Sequence, residues 1–207
     1  MGDQSRHFPT QPSTSPSKPQ TRVLARGVWL QTVRCGDDVR RSPQPWCPAP
    51  LGTRLLLQLI RGADRFGRYL PVPPLRLVDG RGGPALLQPY LAGAVPLRRL
   101  TTPQLADPLV RHSLLQFWQA AAQGWRNIGW LPDIGGRAYL PWELYRPLQS
   151  DNVLIDRTGN CWLVDVGASA TFHSVQSPLG RLHAALMLRA IRNCVLRLGA
   201  VRREPWA

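Results

Sequence analysis

The chain has 207 residues, 43% of them hydrophobic, and a formal net charge of +14 at pH 7. This length suffices for one ordinary core, with or without a tail, and no apolar run reaches the roughly 18 residues of a membrane span. The N-terminus lacks the apolar core of a secretory signal, and the four cysteines form no Cys-x-x-Cys pair. We therefore expect a cytoplasmic protein with reduced thiols.

The positive charge has two explanations. Such an excess often marks a nucleic-acid partner or an anionic surface. However, Lys18 is the single lysine among the 26 basic residues, and Pro, Gly, Ala and Leu are abundant as well. This imbalance favours codon bias over a dedicated polyanion site, so a nucleic-acid partner is an alternative that we do not favour.

The first part of the chain predicts a tail, strands and one helix. Residues 1–20 are rich in Pro, Ser and Thr and predict a disordered tail. Residues 21–34 alternate as one or two strands, and residues 35–50, with four prolines, predict a loop. Apolar residues at helical spacing predict an amphipathic helix over 51–69, and residues 75–91 read as two short strands joined by a Gly-rich turn.

Helices dominate the second part. Apolar and aromatic spacing predicts a helix over 104–128, followed by a long irregular segment over 129–150. A final helix is predicted over 179–198, with Gly199 as its C-cap.

A hairpin is predicted in the stretch LQSDNVLIDRTGNCWLVDVG. The strands are Val153–Ile155 and residues 161–164, and Gly159 supplies the turn. Asn152 precedes the first strand and Asp165 follows the second. Since a hairpin brings its two ends together, an amide oxygen and a carboxylate are expected side by side. The alternative is that both residues only cap the neighbouring loops.

The longer segment YRPLQSDNVLIDRTGNCWLVDVG resembles the catalytic and metal-binding segments of the protein-kinase-like superfamily, which includes protein kinases and antibiotic phosphotransferases. In that family a catalytic loop leads to an Asn, a hairpin and an Asp-Phe-Gly or similar triplet. Asn152 matches the loop Asn, and Asp165-Val166-Gly167 matches the triplet. The segment ALLQPYLAGAVPLRRL is similar to the strand and hinge that join the two lobes.

The resemblance implies an α+β, two-lobe, protein-kinase-like fold. After the tail of residues 1–20, residues 21–92 would form a reduced N-lobe of strands and one helix. Residues 93–207 would form a short, mainly helical C-lobe with the catalytic-loop-like segment and the metal-binding hairpin.

The same resemblance implies Mg²⁺ and ATP as cofactors. In the family the loop Asn and the triplet Asp hold Mg²⁺ against the nucleotide phosphates, which makes Asn152 and Asp165 the implied metal ligands. Adenine is held by hinge backbone groups, here the carbonyl of Pro89 and the N–H of Leu91. The alternative is that this strand is simply an edge strand ending at Pro89.

Several family residues are missing. Pro147 stands where the catalytic aspartate is expected, and the strand predicted before the first helix offers Gln31 instead of the phosphate-gripping lysine. The helix over 51–69 has no glutamate to pair with such a lysine; its lone acid is Asp64. No Gly-rich phosphate loop precedes the first strand.

A replacement base is the remaining question for catalysis. We hypothesise that Asp133, in the enlarged segment before the hairpin, serves as the base; the alternative is a turn residue ahead of Gly135 and Gly136. Asp151 is a further candidate, although strand alternation would direct it away from the metal.

Three functions follow from these residues. The first is a pseudokinase-like protein that binds Mg-ATP with weak or no phosphoryl transfer. The second is an active phosphotransferase with a non-standard base, acting on a small molecule or a protein. The third is a basic adaptor or nucleic-acid-binding module built on the same scaffold. Nucleotide is the expected partner, with an unknown phosphoryl acceptor or protein partner beside it.

Overall fold

The computed structural model describes residues 21–26, 28–80, 82–129, 131–132, 134, 146–166 and 178–200, with residues 179, 180, 183, 199 and 200 described by backbone alone. Within these ranges the fold is mixed α+β, with antiparallel sheets and helices. The predicted tail of residues 1–20 and most of the irregular segment, Asp133 included, lie outside the described residues. No helix of the described part is both long and apolar enough to cross a membrane.

The larger sheet has five strands, which are β1 Thr21–Arg26, β2 Leu30–Cys35, β3 Asp38–Pro43, β4 Arg76–Gly80 and β5 Gly83–Pro89. Their order across the sheet is β1-β2-β3-β5-β4, and every neighbouring pair is antiparallel. Gly36, with φ +65°, makes the tight turn between β2 and β3, a conformation that glycine adopts without a steric cost. The strand pair predicted over 75–91 is confirmed as β4 and β5.

The predicted loop over 35–50 is wrong in its first half, because β3 lies there. The inward positions of this strand are Val39 and Arg41, so only one of the two is apolar. A strand of six residues whose buried face carries an arginine gives almost no hydrophobic alternation, and Pro43 at its end reads as a loop residue.

The first helix, α1 Ala49–Phe66, confirms the prediction over 51–69 and starts two residues earlier. Proline in its first turn fits, since the N–H groups there have no partner within the helix. Its buried stripe includes Leu56, Leu59, Gly62 and Phe66. This stripe packs against β3 and β5 and so covers the centre of the five-stranded sheet.

The smaller sheet contains the predicted hairpin. Its strands are β6 Val95–Pro96, β7 Val153–Ile155 and β8 Cys161–Leu163, in the order β6-β7-β8. Gly159 takes φ +82° in the turn, as its position predicts. Because β6 follows the five-stranded sheet directly in sequence, it ties the hairpin to the end of β5.

Three further helices follow: α2 Thr102–Ala106, α3 Pro108–Ile128 and α4 Pro178–Ala200. Of these, α3 packs on the smaller sheet, and α2 and α4 both contact α3. The single helix predicted over 104–128 is divided at Asp107, whose carboxylate accepts from the N–H groups of Leu109 and Val110 and caps α3. The predicted C-cap Gly199 is also wrong, because α4 continues through it.

One hydrophobic core joins the two sheets. Members from each region include Leu59 of α1, Leu86 of β5, Trp118 of α3, Leu163 of β8 and Met187 of α4. All five side chains are nearly inaccessible to solvent. The hairpin is therefore held against the five-stranded sheet by shared packing.

Candidate functional site

The open end of the hairpin is anchored on both sides. The N–H of Val164 donates to the carbonyl of Asn152 (2.9 Å), which extends the β7–β8 ladder by one pair. Beyond it, Val166 is 1% exposed and packs on α1, where a Cβ added to Gly62 would lie 2.6 Å from the Val166 carbonyl oxygen. Asp165 stands between these two anchors with its side chain 44% exposed. The predicted residues Asn152 and Asp165 thus meet at one end of the hairpin.

Arg41 of β3 reaches this end from the other sheet. Its side chain is only 10% exposed, and its guanidinium lies 3.8 Å from the Asp165 carboxylate (Nη1 to Oδ1). Nη2 donates a hydrogen bond to the carbonyl of Val164. Nε is buried and has no hydrogen-bond partner among the described residues. The guanidinium is therefore held in place with part of its donor capacity unused.

Two opposing effects act on the pKa of Arg41. Burial lowers it, because desolvation disfavours the charged form, and the carboxylate of Asp165 raises it. A guanidinium starts from so high a pKa that it keeps its proton in a protein. The site consequently holds a buried positive charge next to a half-exposed negative one.

A second ion pair borders the site. Asp151 accepts a hydrogen bond from Arg98 Nε, and the Arg98 N–H donates to the carbonyl of Ser150 (3.3 Å). Ser150 is buried, and its hydroxyl accepts from the N–H of Asn152 (3.2 Å). These contacts fix residues 150–152 and engage Asp151 with a cation.

The hinge prediction concerns the end of β5. Tyr90 N–H donates to the Asp37 carbonyl (2.8 Å). Since backbone groups alternate in direction along an antiparallel ladder, those of Pro89 point away from β3. Pro89 also lies beyond the last residue that pairs with β4, which is Leu87. An adenine contact at the Pro89 carbonyl and the Leu91 N–H stays a prediction that this geometry permits.

Gln88 adds a second unfilled polar atom near Arg41. It is 6% exposed, and its Oε1 has no hydrogen-bond partner in the described part of the chain. The register pairs Gln88 with Val39 and Leu86 with Arg41, so all four side chains project from one face of the sheet. A buried acceptor and a buried donor without partners on the same face suit a polar ligand.

Sequence reasoning missed Arg41 and Gln88. It took β2 for the strand that carries the phosphate-binding position and therefore named Gln31, which instead donates to the hydroxyl of Ser42 (3.3 Å). The signal available was weak: a six-residue stretch, DVRRSP, between a Gly-Asp turn and a proline-rich loop. Asp133, the proposed base, lies outside the described residues.

The fit of Mg²⁺ to this end of the hairpin is poor. The pair Asn152 and Asp165 offers one amide oxygen and one carboxylate, and a guanidinium already faces that carboxylate. Among the described residues no three His, Cys, Asp or Glu side chains cluster as metal ligands. Magnesium is usually held in octahedral geometry by one or two carboxylates together with phosphates and waters, so here it would compete with Arg41 for the Asp165 carboxylate.

Three concave spaces lie elsewhere. One of about 330 Å³ borders the turn of the hairpin near Asp156, one of about 410 Å³ lies beside Trp162, and an apolar groove of about 340 Å³ runs between α3 and α4. None of the three is lined by Arg41 or Asp165. Among the described residues, buried polar atoms without a hydrogen-bond partner also occur at Arg40 Nε and at Trp118 Nε1, which borders the apolar groove. We place the candidate site at the open end of the hairpin because there an unpaired donor of Arg41 lies beside the carboxylate of Asp165.

No protein-family model matches this chain, and no curated protein matches it. The functional argument therefore rests on the residues of the site.

Proposed function

We propose that the chain is a kinase-like protein that binds a nucleoside triphosphate between the five-stranded sheet and the open end of the hairpin, with weak or no phosphoryl transfer. The observation that carries this proposal is the contact of Arg41 with Asp165. In protein kinases a lysine of the third strand holds the nucleotide phosphates, and the triplet aspartate lies across from it. Here the third strand is β3, and its buried cation faces the aspartate that matches the triplet.

The order of elements also supports the proposal. Three strands, a helix and two strands are followed by helices and the hairpin, as the resemblance implies. The Arg41–Asp165 contact joins positions that are far apart in sequence but adjacent in that arrangement.

Weak or absent transfer follows from the positions of the acids. Pro147, in the place of the catalytic aspartate, begins a short 3-10 turn over Pro147–Gln149 and has no group that accepts a proton. Asp151 is engaged by Arg98. Asp64, the lone acid of α1, is exposed on that helix, so it does not pair with Arg41 as a family glutamate would with its lysine. Much of the positioning that phosphoryl transfer needs is thus missing from the described part of the chain.

Titration calorimetry tests the proposal. ATP is titrated into the wild-type protein and into Arg41→Met, with Arg54→Met as the matched control, since Arg54 is exposed on α1 and loses the same charge. We expect wild type and control to bind alike and Arg41→Met to bind at least about tenfold more weakly, because a charge-assisted phosphate contact is lost. Absence of nucleotide binding by the folded wild-type protein contradicts the proposal.

Two further assays separate the alternatives. Transfer of labelled γ-phosphate to an acceptor, or to the protein itself, would indicate an active phosphotransferase. Binding to polyanions that weakens steeply with salt, in the absence of nucleotide binding, would indicate the basic nucleic-acid-binding module instead.

A further inference from the structure

We infer that the nucleotide is held at this site without magnesium, with the Arg41 guanidinium supplying the positive charge that a metal ion would supply at Asp165. The inference rests on the proposed function and sharpens it. It departs from what the family resemblance implies, which is a magnesium ion between Asn152, Asp165 and the phosphates.

Charge balance is the first argument. Each carboxylate at the open end of the hairpin has its own arginine: Asp165 lies beside Arg41, and Asp151 is bonded to Arg98. The four side chains together carry no net charge. In nucleotide sites Mg²⁺ is held by one or two carboxylates together with phosphate oxygens, and among the described residues both carboxylates at this end already face an arginine.

Repulsion is the second argument. A metal ion bound by the Asp165 carboxylate would lie within a few ångströms of the guanidinium that faces the same carboxylate. Because the Arg41 side chain is nine-tenths buried, solvent screens this repulsion only from the half-exposed side of Asp165, and so less than it would between two exposed charges. Arg41 also has little room to withdraw, since its strand is central in the sheet and its Nη2 is bonded to the Val164 carbonyl.

Unfilled hydrogen-bond donors are the third argument. Of the five N–H groups of Arg41, one is directed at the Val164 carbonyl, and Nη1 lies 3.8 Å from Asp165, which is longer than a hydrogen bond. Nε has no partner among the described residues. Buried donors without partners are costly, and a planar guanidinium fits two phosphate oxygens at once. A phosphate oxygen that accepts from Nε would therefore remove this cost.

The test compares ATP binding in EDTA with ATP binding in excess Mg²⁺, by titration calorimetry on the full-length wild-type protein. We expect the two dissociation constants to agree within about threefold, because no metal ion contributes. Binding that requires Mg²⁺ overturns the inference and leaves the proposed function intact. Absence of binding in both conditions overturns the proposed function as well.

Two variants sharpen the test. In EDTA, Asp165→Asn should bind ATP more tightly than wild type, because the carboxylate that competes with phosphate for Arg41 is gone. In excess Mg²⁺, a metal-dependent site would instead lose binding in this variant relative to wild type, and such a loss overturns the inference. Arg41→Met should lose at least about tenfold in affinity in EDTA, and unchanged affinity also overturns it.

If Arg41→Met does not fold, Arg41→Lys replaces it in the affinity measurement. It keeps the charge but replaces the planar fork with a point charge. We expect an affinity in EDTA between those of wild type and Arg41→Met. Circular dichroism and thermal unfolding of each variant confirm that the comparison is made between folded proteins.

Discussion

Asp156 at the turn of the hairpin and Asp165 after its last strand use their carboxylates in opposite ways. At the turn, Asp156 accepts hydrogen bonds from the backbone N–H groups of Thr158 and Asn160 (2.9 and 3.0 Å), the Thr158 hydroxyl (2.7 Å) and the indole N–H of Trp162 (2.8 Å). All of these partners lie within six residues. At the open end, Asp165 faces Arg41, which lies on another sheet and far away in sequence.

The difference separates a carboxylate saturated by its own turn from one that faces a buried guanidinium with an unused donor. Burial acts to raise the pKa of Asp156, but hydrogen bonds from Trp162, Thr158 and Asn160 outweigh it and lower this pKa to about 2. The carboxylate at the turn is thus saturated by its own hairpin. At the open end the Arg41–Asp165 contact is long, and the guanidinium keeps an unused donor. Local saturation stabilises a turn, whereas the unused donor of Arg41 leaves capacity for a ligand.

Among these variants, Gly62→Ala is expected to lower the stability of the protein most. The substitution disturbs the packing at the open end of the hairpin and does not touch the turn. The new Cβ would lie 2.6 Å from the Val166 carbonyl oxygen, so α1 and the backbone beside Asp165 must separate. We expect the free energy of unfolding to fall by about 2 kcal/mol, since overpacking outweighs the gain in helix propensity. Urea denaturation measures the change, and calorimetry should show loss of ATP binding.

Gly82→Ala is the control for this variant, because a Cβ at Gly82 meets nothing within 4 Å. Its stability and its ATP binding should match those of the wild type. Equal stability of the two variants would contradict the close approach of α1 to Val166.

Asp156→Ala breaks the turn and spares the open end. Loss of the hydrogen bonds to this carboxylate should lower the free energy of unfolding by about 1–2 kcal/mol, while ATP binding by the folded variant is retained. Asp64→Ala is the control, because Asp64 is an exposed acid on α1. It should change the free energy of unfolding by less than about 0.5 kcal/mol. If the folded Asp156→Ala variant no longer binds ATP, the two ends of the hairpin are not independent.

The contrast between the two ends also explains what the sequence reveals. The turn is predictable because its information is local: Asp156, Gly159 and the flanking β-branched residues lie within a few positions of one another. The helix α1 and the strands β4 and β5 are predictable for the same reason, since their apolar periodicity lies within one segment. The division at Asp107 was missed because apolar spacing continues across it.

Arg41 could not be predicted in this way. The contacts of Arg41 depend on the packing of β3 against a hairpin more than a hundred residues later in the sequence. A local sequence pattern does not predict such a contact. Arg41 interrupts the apolar face of β3, and the alternation of apolar and polar residues that predicts a strand is therefore missing. Asn152 and Asp165 were identified by their place in a motif, which is again a local feature.

A double-mutant cycle measures how strongly Arg41 and Asp165 are coupled. We expect a coupling energy of about 1 kcal/mol, because the atoms are 3.8 Å apart and Asp165 is half-exposed, so solvent screens the pair.

Asp165→Asn alone should destabilise the protein, since it leaves a buried cation without its counter-charge. Arg41→Met should be neutral or stabilising, because an apolar side chain replaces a desolvated charge. Urea denaturation of the four proteins gives the cycle, and a strongly destabilised Arg41→Met would show that this arginine is structural.

The smallest expected effect is a pH dependence that belongs to the turn. The pKa of Asp156 is lowered from 3.8 to about 2 in the folded protein. A carboxylate with a depressed pKa stabilises the fold at pH values above its unfolded pKa, and this contribution is lost as the pH falls through the folded pKa. The stability difference between wild type and Asp156→Asn should therefore be constant above pH 3.8 and shrink as the pH falls towards about 2. Urea denaturation at a series of pH values across this window measures it. Curves for the two proteins that stay parallel throughout would mean that the hydrogen bonds at the turn do not lower the pKa of Asp156.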